Sequence, residues 1–189
     1  MRKAGKDDKK QVIDILCAAF ANNKSVQYII KQDRHTAIRI RKLMNYSYEM
    51  CVLKGAIYIS DDALSCALVT LPGKTKLSLR ATWLDIRLLF QCIGFSNIKK
   101  VMSREALIKK QYPLTPFTYL WFLGVMPGSQ QKGLGSAMLQ YVLQQHNAHP
   151  TYLETSAAEN LPFYLKHGFS VYHEEELSYK LFFLKKEIQ

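Results

Sequence analysis

The stretch VMPGSQQKGLGSAM, residues 125–138, decides how this chain reads. Before it runs the apolar segment Tyr119-Leu-Trp-Phe-Leu123, with the pattern of a buried strand. Leu134, Ala137, Met138, Tyr141 and Val142 then recur at helical spacing. The stretch is therefore a glycine-rich turn between a strand and a helix. The first N–H groups of a helix have no acceptor within it, and the helix dipole adds partial positive charge at that end. Together they make an anion site suited to a phosphate or pyrophosphate. Gly133 and Gly135 lack a Cβ and leave the backbone open to a bulky anion. Gln130 and Lys132 add a side-chain donor and a positive charge.

Spacing excludes two familiar phosphate loops. Gly128 to Gly133 has the first interval of a Walker loop, but Leu134 and Gly135 stand where Lys and Ser/Thr are required. Gly133 and Gly135 could begin a dinucleotide fingerprint, but Met138 fills its last position, where a side chain blocks close helix–strand packing. What remains is Gln-x-x-Gly-x-Gly preceded by Val125 and Pro127. That pattern resembles the acetyl-CoA pyrophosphate loop of the GCN5-related N-acetyltransferases (GNAT). A second block, YLETSAAENLPFYLKHGFSV at residues 152–171, resembles the last motif of the same superfamily. Both blocks resemble its puromycin N-acetyltransferase branch most. The likeness is strong over residues 119–171, and the N-terminal half follows only the family's order of elements.

A chain of 189 residues fits one domain with room for a sizeable core, and the resemblance implies that residues 1–189 form a single N-acetyltransferase domain. Apolar residues at 48% and charged residues at 22% are ordinary for a soluble globular protein. No stretch reaches the roughly 18–20 apolar residues of a membrane span. No apolar signal core follows the basic start MRKAGKDDKKQ, so a cytoplasmic location is expected. Cys17, Cys51, Cys66 and Cys92 are widely spaced and read as reduced, mostly buried thiols. The five histidines show no ligand spacing, and no metal is expected. The net charge of +11 is scattered along the chain without a recognition-helix pattern, so it reads as solvated surface rather than a nucleic-acid or membrane interface. A monomer or homodimer is expected.

Along the chain, Asp7 and Asp8 can cap a helix over 8–21 with Val12, Leu16 and Ala19 on one face. A second helix is predicted over 35–53, with Ile38, Met44, Tyr48 and Cys51 inward and Gly55 as its stop. Residues 56–60 and 64–71 read as a β-hairpin ended by Pro72-Gly73. Two helical stretches, 78–93 and 96–110, fill an insertion over 76–112. Arg80, Trp83, Arg87 and Arg104 lie in it without a legible orientation. Strand 117–125, helix 133–147, strand 151–155, helix 159–167 and strands 169–174 and 177–184 complete the order. The order of elements gives an α/β (α+β) class, and the resemblance implies the GNAT acyl-CoA N-acyltransferase fold: a mixed central sheet of six to seven strands flanked by helices, with a helical insertion before the fourth strand.

The resemblance implies transfer of the acetyl group of acetyl-CoA, bound as co-substrate, to the primary amine of a small molecule. It implies that the pantetheine arm pairs with the strand end Leu123, Gly124 and Val125, with the Val125 N–H as oxyanion donor. It assigns the pyrophosphate to Gln130, Gln131, Lys132, Gly133, Leu134, Gly135 and Ser136, and a cofactor contact to Asn160. Tyr164 matches the tyrosine that protonates the departing thiolate; a phenol, with a reference pKa of about 10, is a proton donor at neutral pH. Many relatives carry a base on the strand of Leu123, and this chain has no Glu between residues 117 and 125. Glu154 on the neighbouring strand is the nearest alternative. Alternation sets it opposite Leu153 and Thr155, at the cleft or in solvent. A protein or peptide N-acetyltransferase and a non-catalytic CoA-binding protein are the alternative readings.

Overall fold

Two β-rich runs meet antiparallel at the centre of the molecule: β2, Gly55–Ile59, and β3, Ser65–Thr70. In the computed structural model, which describes residues 1–72 and 78–188, they belong to a seven-stranded sheet. The other strands are β1 (Arg2–Lys3), β4 (Thr118–Val125), β5 (Thr151–Thr155), β6 (Ser170–Glu176) and β7 (Lys180–Lys186). Their order is β1-β2-β3-β4-β5-β7-β6. Every neighbouring pair is antiparallel except β4 with β5.

Helices cover both faces. On one lie α1 (Lys9–Phe20), the short α2 (Lys24–Ile29) and α3 (Thr36–Lys54). Their Val12, Leu16, Val26, Ile40, Met44 and Tyr48 pack with Ile57, Leu68 and Phe122. On the other lie α6 (Leu134–Gln145) and α7 (Leu161–Lys166). Here Met138, Leu139 and Val142 are fully buried with Ala67, Val69, Leu120 and Leu153. The expected stripe on α6 is therefore turned by one residue: Leu139 is inside and Ala137 is exposed. The insertion forms α4 (Leu79–Leu88), a π-turn (Leu89–Ile93), a 3-10 turn and α5 (Ile98–Lys110). Gly73 and residues 76–77, where the hairpin was expected to end and the insertion to begin, lie outside the described residues.

Several expectations need correction. Asp8 stands at the N-cap of α1 but makes no side-chain cap. Its carboxylate accepts instead from Arg2 at 2.6 and 2.7 Å and from the Gly5 N–H at 2.7 Å, pinning β1 to the helix entrance. Ile38 is 54% exposed. The inward face of α3 is Ile40, Met44, Ser47 and Cys51, and position 38 falls two residues, about 200°, round the helix from Ile40. Gly55 ends α3, but in extended backbone rather than a left-handed turn. A Cβ there would sit 1.9 Å from the Val69 carbonyl oxygen, so this glycine is required by close strand approach.

Candidate active site

The parallel ladder of β4 and β5 has two rungs, Thr118 with Thr151 and Tyr119 with Tyr152. Beyond them both strands continue, each paired only on its outer edge, β4 with β3 as far as Val125 and β5 with β7 as far as Thr155. The facing edges of residues 120–125 and 153–155 thus carry backbone groups with no partner strand. A gap in the middle of a sheet is open to a ligand that can pair with backbone.

A β-bulge sets what points into this gap. The β3–β4 register slips between Leu68 and Val69, which pair with Phe122 and Leu120 and leave Trp121 as the extra residue. Before the bulge, the Thr118 N–H donates toward β5, to the Pro150 carbonyl at 2.9 Å. After it, the Met126 N–H donates the other way, to the Leu64 carbonyl at 2.9 Å. Alternation from Met126 therefore turns the N–H groups of Leu123 and Val125 toward the gap. Gly124 carries no side chain where α1 crosses; a Cβ there would touch Ile15, Leu16 and Ala19 at 3.4 to 3.5 Å.

The glycine-rich turn lies at the end of the same strand. Gly133 is the N-cap of α6, at φ 84°, and no protein atom lies within 4 Å of where its Cβ would be. Gln131 also has positive φ, at 62°, which the sequence did not reveal. Among the described residues, the N–H groups of Gln131 through Ser136 donate to no protein acceptor, and the first helical bond of α6 comes from Ala137 to Gly133. The Lys132 ammonium folds back on the Gly128 carbonyl at 3.1 Å, and Gln130 Nε2 donates to the Val125 carbonyl at 3.4 Å. Successive free amides, an open left-handed glycine and an adjacent ammonium fit a diphosphate. Gly135 serves differently. A Cβ there would meet Val125 and Phe163 at 3.6 to 3.7 Å, ordinary contact, so its smallness brings α6 near β4 and α7. Ser136 Oγ lies 3.0 Å from His167 Nε2, tying α6 to the end of α7.

Tyr164 lies on α7, with the core on the α6 side of the sheet. Its ring meets Phe163 and Phe169 edge-on at 5.1 and 5.7 Å. Its hydroxyl has no protein hydrogen bond among the described residues, and burial pushes the phenol up to about 12. Asn160 stands at the N-cap of α7 without a side-chain cap, so its amide is uncommitted.

Glu154 is on the opposite face and is not in solvent: its side chain is 10% exposed. It accepts a hydrogen bond from the Tyr119 hydroxyl, and Arg104 of α5 lies 3.8 Å from its other oxygen. Burial raises the carboxyl above its ordinary value, partly offset by Arg104 and Tyr119. Arg104 resolves the insertion's unassigned residues in part: it is buried, whereas Arg80, Trp83 and Arg87 are exposed. Its Nε donates to the Tyr179 hydroxyl at 2.9 Å, and Ser25 Oγ lies 3.2 Å from the same hydroxyl. Burial alone would lower the guanidinium, but Glu154, Tyr179 and Glu105 outweigh it. Sequence pattern gave no sign of this polar cluster, because its members come from α2, α5, β4, β5 and the β6–β7 turn.

Residues 87–171, which span the gap, the turn and α7, match the family model of the acetyltransferase (GNAT) domain. Solved structures share the whole fold. The structure of histone acetyltransferase HPA2 and related acetyltransferase from Corynebacterium glutamicum superposes with TM-score 0.72 at 18% identity, covering 100% of this chain and 95% of that one. Arylalkylamine N-acetyltransferase 2 from Aedes aegypti gives 0.64 at 15%, covering 100% and 98%. The ribosomal-protein-S18-alanine N-acetyltransferase of Escherichia coli gives 0.55 at 11%, covering 100% and 92%. Residues 87–171 thus resemble an acetyltransferase (GNAT) domain, and the chain as a whole shares the fold of the solved acetyltransferases.

Proposed function

We propose that the protein acetylates the primary amine of a small molecule by direct attack in a ternary complex. The observation that carries this reading is the gap between β4 and β5, with free amides at its mouth and different polar groups on its two faces. Acetyl-CoA supplies an acetyl thioester whose carbonyl carbon accepts the amine nitrogen and whose C–S bond breaks. Gln130, Gln131, Lys132, Gly133, Leu134, Gly135 and Ser136 hold its diphosphate. The edge Leu123, Gly124 and Val125 pairs with the pantetheine arm, and the Asn160 amide touches it. The Val125 N–H donates to the carbonyl oxygen as charge develops there. Glu154 takes the proton that the amine nitrogen releases, directly or through water. Tyr164 gives its proton to the departing sulfur and recovers one from solvent.

The small-molecule acceptor is favoured by the insertion, since α5 packs Arg104 and Ile108 over the Glu154 face, which leaves little of the open groove that a peptide needs. The likeness of residues 119–171 to the puromycin branch makes an aminoacyl amine the first acceptor to try. The test is to measure acetyl-CoA affinity and then thiol release with panels of aminoacyl nucleosides, arylalkylamines and short peptides. Turnover is expected with small amines. Turnover confined to peptides would make the protein a peptide N-acetyltransferase, and tight binding with no thiol release from any acceptor would leave a CoA-binding protein.

A further inference from the structure

A cavity of about 560 Å³ lies between α1, α3, α4 and the π-turn, and none of its lining comes from β4, β5, α6 or α7. Its size is that of a small-molecule site. We propose that it binds a small polyanion, a ligand bearing two or more phosphoryl charges beside an apolar group, at a site separate from the acyl-transfer gap.

The charges carry the argument. Six cationic side chains, Lys6, Lys9, Lys10, Arg41, Lys42 and Arg87, line the cavity with a single carboxylate, Asp7. Three of the six are matched: Lys9 pairs with Glu49 at 2.6 Å, and Lys10 and Arg41 share Asp14 at 2.9 and 2.7 Å. Lys6, Lys42 and Arg87 have no carboxylate within ion-pair distance among the described residues. Lys6, Lys10, Arg41, Lys42 and Arg87 are exposed and Lys9 is half-buried, so the charges stand at the rim, where like charges repel and a concave surface focuses their potential on an anion.

Local geometry supports a built site. Arg87 Nε lies 3.3 Å from Gln91 Oε1, and its guanidinium stacks 5.3 Å over Trp83, so the group is oriented with its two terminal nitrogens uncommitted. Gln91 belongs to the π-turn, whose carbonyl at that residue is held by Arg39 at 2.9 Å. The floor is apolar, with Ile13 and Leu84 both buried. Phosphoryl charge at the rim and an apolar moiety on this floor would use both.

The test is a calorimetric titration of inorganic tripolyphosphate into protein saturated with CoA, at low ionic strength. CoA fills the α6 turn, so the remaining heat reports this cavity. One tripolyphosphate per chain is expected. A Lys42→Gln/Arg87→Gln double variant should bind it at least tenfold more weakly, with CoA affinity changed less than twofold and an unchanged melting temperature. No heat, unchanged affinity in the double variant, or binding that CoA abolishes would each overturn the proposal. So would single-stranded DNA binding more tightly than tripolyphosphate with the same sensitivity to the variant. Protein that bound no CoA would be titrated as it stands, so this proposal and the acetyl-transfer reading fail independently.

Discussion

Tyr164 and Glu154 carry the acid and base roles of the proposed reaction, and burial pushes both toward the protonated form. Burial raises the phenol to about 12, so it stays a proton donor throughout the working range and contributes no alkaline decline below about pH 10. Tyr164→Phe keeps the ring that packs on Phe163 and Phe169 and removes only the hydroxyl. It is expected to bind acetyl-CoA as before and to lower kcat by about 10²-fold, the usual worth of a general acid. Full rate in a single-turnover experiment with chemistry limiting would remove the acid role. Glu154 must be ionised to accept a proton. Because burial raises it, kcat/KM should fall as pH drops through a midpoint above the ordinary carboxylate value of 4.5. Glu154→Gln should abolish that acidic limb and slow strongly basic amines most, since these arrive protonated. An identical pH profile in the Gln variant would move the base elsewhere.

At the scale of elements, the turn before α6 was legible because its determinants are local. Gly133 and Gly135 stand between an apolar strand and a helical repeat, all within about twenty residues. A Gly133→Asp variant tests it twice over. The φ of 84° strains any residue with a Cβ, costing about 1–3 kcal/mol, and the carboxylate would stand against the diphosphate. Loss of acetyl-CoA affinity by more than tenfold is expected in equilibrium binding, with a lowered melting temperature. Gly55→Ala tests a different element: its Cβ would meet the Val69 carbonyl, and β2 and β3 must part, for an expected loss of about 1–3 kcal/mol in chemical denaturation without any direct effect on the site. What stayed illegible is non-local. The six residues of α2 and the two of β1 are too short to show a period. The bulge at Trp121 depends on register with β3, and the apolar run around it looks continuous with or without an extra residue. Arg104 meets Glu154 at a separation of fifty positions, and no spacing rule links an insertion helix to a strand it covers.

The seven-stranded sheet has two halves joined at a seam. Strands β1 to β4 form one and β5, β7 and β6 the other, and between them stand two backbone rungs and the packing of α6 and α7. A ligand whose arm pairs with both edges completes the ladder, so binding and folding are linked more closely than in a protein with a preformed pocket. A net charge of +11 adds attraction for an anionic co-substrate, screened by salt. At a concentration of one hundred times Kd, linkage alone gives about 2.7 kcal/mol of stabilisation. For a chain of this size that corresponds to a melting-temperature rise of about 5–11 °C. Acetyl-CoA should therefore raise the transition strongly, less so in high salt, and Gly133→Asp should show almost none of the rise. Hydrogen exchange locates the effect: the amides of Leu123 and Val125, turned to the open edge, should exchange readily in the free protein and become protected when acetyl-CoA binds. If those two amides exchange at the same rate with and without it while the transition temperature still climbs, the arm does not lie along this edge.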